Sequence, residues 1–278
     1  MVISGRTVLI PHLGWPTDAF KAPMIYNPWF EKAGVDAVVV PMGVKSGDYP
    51  AVLSALARLT NVRGALVTMP HKVTTMSLVA EASKAAQIAG AANALLRRED
   101  GSWLADQFDG AAFVRGLARK GVRVAGRRAI VFGSGGVGSA IAASLASADA
   151  AELMLFDVDP GAAAALRCRL REHWPRLAVR TGSADPAGYD LVVNATPLGM
   201  KEGDALPFDV DRIAPSSFVG DVVLGVETTP LLVAAAAKGC AIQRGIDMLF
   251  EMIPAYLEFF GLPVAQPDEL RALATIRY

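Results

Sequence analysis

Two stretches of this chain combine residue types and spacing that could do chemistry. The first is RRAIVFGSGGVGSAIAASLA, an apolar run, then Gly133-x-Gly135-x-x-Gly138 enclosing Gly136 and Val137, then an alanine-rich segment of helical character. At such a strand-to-helix turn one glycine permits the sharp reversal and another lets the backbone approach a pyrophosphate. The third allows close helix–strand packing, with the helix N-terminus aimed at the phosphates. The triplet alone is weak evidence. Here Asp157 closes the following apolar run, ELMLFD, about 20 residues on, where a dinucleotide site places a ribose-binding carboxylate. A carboxylate there repels a 2′-phosphate, and FDVDPG offers no arginine to clamp one. The expected cofactor is therefore NAD, with NADP less favoured.

The second stretch is GALVTMPHK, where a strand-like run ends in Pro70, His71 and Lys72. A lysine in a partly desolvated site has its pKa lowered toward the range useful for general acid/base work. Strands also end in solvated polar residues, so position alone leaves both readings open. His71 reads as structural, a cap on the loop. In NATPLGM, Asn194 lies at the end of the run DLVVNA and Thr196 and Pro197 just beyond it, so all three fall at the carboxyl edge of a parallel sheet, where a nicotinamide would lie.

The elements that must position these residues follow from the alternation of short β-branched runs with longer amphipathic segments, the pattern of βαβ units. Strands are expected at 7–10, 36–40 and 64–68, with helices near 23–33 and 49–59 and a hairpin over 93–106 about Asp100-Gly101. A helix near 109–120 precedes strands at 128–133, 152–157, 177–182, 190–195, 218–224 and 240–245. The fold class is α/β with two domains, an N-terminal α/β substrate domain and a doubly wound Rossmann-type domain. Residues 1–108 form the first, completed by helices in 246–278, and 109–245 form the second.

Composition narrows the function class. The 278 residues are 53% hydrophobic and 19% charged, with 27 Lys and Arg against 27 Asp and Glu. No net field steers nucleic acid or an anionic membrane surface to the chain. Cys168 and Cys240 lack CxxC partners, and His12, His71 and His173 show no ligand spacing, so neither a disulfide framework nor a metal is expected. The N-terminus has no signal-peptide pattern and no stretch is long enough to span a membrane, which predicts a cytoplasmic protein, monomer or homodimer.

The motifs taken together carry a resemblance. VTMPHK (67–72), AGAANA (89–94), DQFDG (106–110), GSGGVG (133–138), NATPLGM (194–200), TTPLL (228–232) and GIDML (245–249) stand in the order and spacing of the shikimate/quinate dehydrogenase family, which the chain resembles over essentially its whole length. The resemblance implies a Lys–Asp pair that maps to Lys72 and Asp109, the lysine as general acid/base and the aspartate as its orienting partner. It also implies Asn93 and Thr68 in the substrate pocket and Met248 near the nicotinamide. Read without it, the same pair is equally a structural salt bridge.

The pocket departs from the family pattern. The two serines of a Ser-x-Ser-Pro that holds the substrate carboxylate are replaced by Phe20 and Ala22, with Lys21 between them. Leu66, Ala94, Gln107-Phe108, Leu224 and Met252 stand where the pattern has Asn, Thr, Asn-Thr, Tyr and Gln. Losing these donors would leave a carboxylate unsatisfied. Either the pocket takes a less polar cyclic alcohol or ketone, or Lys21 swings in as a point charge for an anion; otherwise Lys21 faces solvent at a helix start. The expected function is an NAD-dependent dehydrogenase of this type with altered substrate choice. The alternatives are a true shikimate 5-dehydrogenase and a non-catalytic NAD-binding sensor.

Overall fold

The computed structural model describes residues 2–278. The chain divides into two compact units, one running to Phe108 and completed by Met252–Tyr278, the other Asp109–Glu251.

The first unit contains β1 (Val8–Gly14), α1 (Pro23–Ala33), β2 (Ala37–Gly43), α2 (Tyr49–Leu56), β3 (Gly64–Val67), α3 (Lys72–Thr75), β4 (Glu81–Ala82), α4 (Lys84–Ala89), β5 (Ala94–Arg97) and β6 (Trp103–Asp106). Its sheet has the order β2-β1-β3-β5-β6-β4, with β5 antiparallel to β3 and β6 and the other pairings parallel. The β5–β6 hairpin turns on Gly101, φ +81°, while Asp100 Oδ1 accepts the Ser102 N–H at 2.8 Å. β1 runs further than the sequence suggests: its register with β2 continues past Pro11 to Gly14↔Gly43, so pairing to a neighbour outweighs the local break. Leu13, Tyr49, Leu53, Leu95 and Trp103 are at the centre of one apolar cluster beneath this sheet.

The second unit contains α5 (Asp109–Arg119), β7 (Arg128–Phe132), α6 (Gly136–Ser147), β8 (Glu152–Phe156), α7 (Pro160–His173), β9 (Ala178–Thr181), β10 (Leu191–Asn194), β11 (Phe218–Asp221), α8 (Pro230–Ala237) and β12 (Ala241–Gln243). α9 (Gly245–Phe259) starts here and crosses the division between Glu251 and Met252; α10 (Pro267–Leu273) lies in the first unit. The second sheet is all parallel in the order β12-β11-β10-β7-β8-β9. Its central strands, Ala129–Phe132 and Leu191–Asn194, are buried throughout, as strands covered on both faces must be. The order reverses between β7 and β10, which makes their carboxyl ends the topological switch point. β11 stops at Asp221 rather than 224, because the Asp221 carboxylate accepts the Val223 N–H and the Thr229 hydroxyl and draws the chain out of the sheet.

His12 interrupts the apolar run of β1. It lies opposite Pro41 and Leu66, its ring stacks on Phe20 with centroids 4.1 Å apart, and its Nδ1 is buried with no hydrogen-bond partner. Burial, and then the Lys72 charge, lower its pKa from 6.5 to about 3. The unfolded chain therefore binds a proton that the folded chain refuses, and stability falls as pH drops from the unfolded value toward the folded one. Between about pH 7.5 and pH 5 this group accounts for a loss of up to about 2 kcal/mol. Thermal melts at both pH values are expected to show a smaller drop in Tm for His12→Leu than for the parent; equal drops would contradict this account.

Candidate active site

In the first unit, the end of β3 is fixed by its neighbours. Thr68 N–H donates to Leu13 O at 2.9 Å, and the His71 ring lies flat on Tyr49, centroids 4.0 Å apart, with Nε2 2.8 Å from Val44 O. The Tyr49 hydroxyl in turn pairs with Thr75 Oγ1 at 2.7 Å. His71 is thus anchored on both sides of its loop, and the next residue, Lys72, opens α3 half-buried.

Lys72 O accepts the Ala92 N–H at 2.9 Å, which places the lysine's backbone beside Asn93. Asn93 is buried; its Oδ1 accepts the Phe108 N–H at 3.0 Å and its Nδ2 donates to Met252 Sδ at 3.4 Å. A thioether sulfur is a weak acceptor, so this amide N–H is held loosely for a buried group. Thr68 and Phe20 converge on Gly14, where a Cβ would stand 2.4 Å from Thr68 Cγ2 and 2.8 Å from the Phe20 ring. Gln107 is buried, with its N–H donated to Asp106 Oδ1.

Lys21 goes elsewhere. It is buried rather than solvent-facing, donates to Arg277 O at 2.5 Å, and lies 4.6 Å over the Tyr278 ring. Burial lowers its pKa. Hence Phe20 and Thr68 meet at Gly14, Asn93 holds Met252 and the Phe108 N–H, the Lys72 backbone pairs with Ala92, and Lys21 is turned to the C-terminal residues.

In the second unit, Asp109 is the buried first residue of α5. The three glycines of the β7–α6 turn divide their roles. Gly133, φ +96°, would carry a Cβ 2.6 Å from Ala195 O, and one on Gly138 would stand 1.9 Å from Gly133 O. Both positions exclude any side chain because β7, β10 and α6 meet there. A Cβ on Gly135 meets nothing within 4 Å. That side is open, at the N-terminus of a twelve-residue helix that has no side-chain cap. Ser134 Oγ in the same turn is buried without a partner, and Gly136 and Val137 begin the helix half-buried. This arrangement fits a dinucleotide pyrophosphate.

Asn194 uses its amide on its own loop: Oδ1 accepts the Thr196 N–H and hydroxyl at 3.0 and 2.7 Å, and Nδ2 donates to Leu198 O and Asp221 Oδ1, each at 3.1 Å. Thr196 is left half-buried and Pro197 exposed at the switch-point end of β10, and Met248 is buried on α9. Asp221, whose pKa burial raises, is the hub of this network and was passed over in the sequence. Its signal there was an acid closing an apolar run, the same signal that singled out Asp157. His12 was passed over too, although strand alternation puts it on the same face as Gly14.

A family model described as the shikimate dehydrogenase substrate binding domain matches residues 13–95. A shikimate dehydrogenase (NADP(+)) of Rubrobacter xylanophilus is 36% identical, over 94% of this chain and 93% of its own. One of Acidiphilium cryptum is 34% identical, over 99% and 98%. A shikimate dehydrogenase solved in complex with NADP+ superposes with a TM-score of 0.88 at 24% identity, over 98% of this chain and 96% of that one.

These relatives overturn the NAD preference read from Asp157, since both are named for NADP(+). The physical reason lies in the carboxylate itself. Asp157 Oδ2 accepts the Ser134 N–H at 2.6 Å and Oδ1 the Asp159 N–H at 2.9 Å, so both oxygens brace the turn. An acid committed to the backbone is a poor guide to which ribose it meets. With sequence identity of 34–36% carried over at least 94% of its length, the chain belongs to the shikimate dehydrogenase family.

Proposed function

We propose that the chain interconverts a ring secondary alcohol and its ketone with NADP, the cofactor its named relatives use, in a pocket altered from that for shikimate. The observation that carries the altered pocket is the wall at the end of β1 and β3: Phe20 and Ala22 stand where two carboxylate-binding hydroxyls are expected, and Lys21 is held by Arg277 O. An anionic carboxylate against that wall would lack donors. The unit closed by Met252–Tyr278 holds the substrate, and Asp109–Glu251 holds the dinucleotide.

Nicotinamide, when bound, supplies the hydride acceptor. The hydroxyl proton then needs a separate destination, and Lys72 is the base that takes it and returns it in ketone reduction. Asp109 accepts a hydrogen bond from the substrate hydroxyl. Asn93 and Gln107 offer amides to the ring, with Thr68, Phe20 and Met252 shaping it. Gly135, Gly136 and Val137 present backbone N–H groups to the pyrophosphate, with Gly133 and Gly138 shaping the turn, and Thr196, Pro197 and Met248 border the nicotinamide. A second reading, shikimate 5-dehydrogenase itself, is favoured by the names of the relatives.

Initial rates with NADP against shikimate, quinate and carboxylate-free ring diols separate the two. The proposed pocket gives a higher kcat/KM with a neutral diol than with shikimate; the reverse order returns the chain to shikimate. Lys72→Ala is expected to lower kcat by about 10²–10⁴-fold, with NADP affinity within about twofold of the parent by calorimetry. Turnover that survives this change would remove the lysine from the mechanism.

The glycine turn gives a separable pair. Gly138→Ala places a methyl against Gly133 O and is expected to lower stability by about 1–3 kcal/mol. Gly135→Ala enters open space, so its melt should match the parent's while its KM for NADP rises. Equal cofactor KM in Gly135→Ala and the parent would mean that phosphates do not approach there.

A further inference from the structure

His12 is a half-buried group, with its Nδ1 fully buried, that the mechanism above leaves unused. Strand alternation puts it on the face of β1 that also bears Gly14, and Gly14 is packed by Thr68 and the Phe20 ring. His12 stacks on Phe20 itself and lies beside Leu66 of β3, the strand that leads to Thr68 and Lys72. Lys72 is near enough to add to the lowering of its pKa, so the imidazole is neutral at working pH. Its Nδ1 is buried without a partner, while the residue keeps partial exposure.

A histidine that served packing alone would be a poor choice here, because an unpartnered ring nitrogen disfavours burial and a leucine would not carry that cost. The same feature has a chemical use. The tautomer of an imidazole is set by whatever its second nitrogen bonds, and here the protein imposes nothing on Nδ1. The accessible edge can therefore donate to a carbonyl oxygen or accept from a hydroxyl. A neutral ring offers no charge to a carboxylate, Phe20 and Ala22 offer no hydroxyls, and the Lys21 ammonium is engaged by Arg277 O.

We propose that His12 is a specificity-determining residue whose ring hydrogen-bonds a hydroxyl or keto oxygen of a neutral, carboxylate-free ring polyol. The proposal rests on the oxidoreductase reading above and names the substrate class of that site.

The test uses the full chain with NADP and three probes: shikimate, myo-inositol and 1,2-cyclohexanediol. His12→Leu is expected to raise KM for a neutral probe about tenfold with kcat little changed, the size of one ordinary hydrogen bond. His12→Asn, which keeps a donor and an acceptor, is expected to recover most of that loss. The turnover-free readout is the ¹⁵N spectrum of the histidine rings in Lys72→Ala, with the His12 signals assigned by their loss in His12→Leu. Saturation with a neutral probe is expected to move them.

A KM unchanged in His12→Leu, or His12 signals that stay fixed while a neutral probe binds, overturns the proposal. So does shikimate shifting those signals where neither neutral probe does. If no probe is oxidised but a neutral one still moves the His12 ring, the binding role stands and the dehydrogenase reading fails. If none is oxidised and none moves it, both fail.

Discussion

The first unit depends on one buried amide. Asn93 sits where β3, β6 and α9 meet, and each of its polar groups is used: its N–H donates to Asp106 O at 3.0 Å, and its carbonyl accepts the Val67 N–H at 2.7 Å and the Tyr256 hydroxyl at 2.9 Å. Its side chain adds the Phe108 N–H and Met252 Sδ. One residue thus ties the strand that leads to Thr68 to the hairpin and to a helix more than 150 residues further along the chain. Buried amides with unmade bonds are costly, so this set is made together or lost together. Lys72, whose carbonyl is held by Ala92, takes its place from the same knot.

The second unit has a steric counterpart. Two glycines at the switch point leave β7, β10 and α6 room to meet, and the third faces open space at the start of α6. Around them, carboxylates that would invite a functional reading serve the backbone. Asp157 braces the glycine turn, and Asp221 braces the loop of Thr196 through Asn194 and Thr229. Positioning of this kind uses the strongest acceptors because they hold several N–H and O–H donors at once.

The two units differ in how they treat polarity. At Gly14 the Thr68 methyl and the Phe20 ring come together, and the cation nearest in sequence, Lys21, is turned to Arg277 and Tyr278. Among the few polar groups near that end of β1 is His12, which burial keeps neutral.

The sequence by itself determined the elements and the motifs. Period-2 and continuous apolar runs mark the strands, Asp100-Gly101 marks the hairpin, and Gly133, Gly135 and Gly138 between a strand and a helix mark the dinucleotide turn, because each is set by neighbours along the chain. The replacements Phe20, Ala22 and Met252 were equally legible, since they are identities. Tertiary structure decided the rest. Where β1 ends was set by β2, and where β11 ends by the Asp221 bonds. That Asp157 holds the turn, that Lys21 meets the C-terminal residues, and that His12 lies against Phe20 near Lys72 are facts about partners far apart in sequence. A side chain's chemistry is written in its type, but whether that chemistry is free to act depends on which partners folding brings to it.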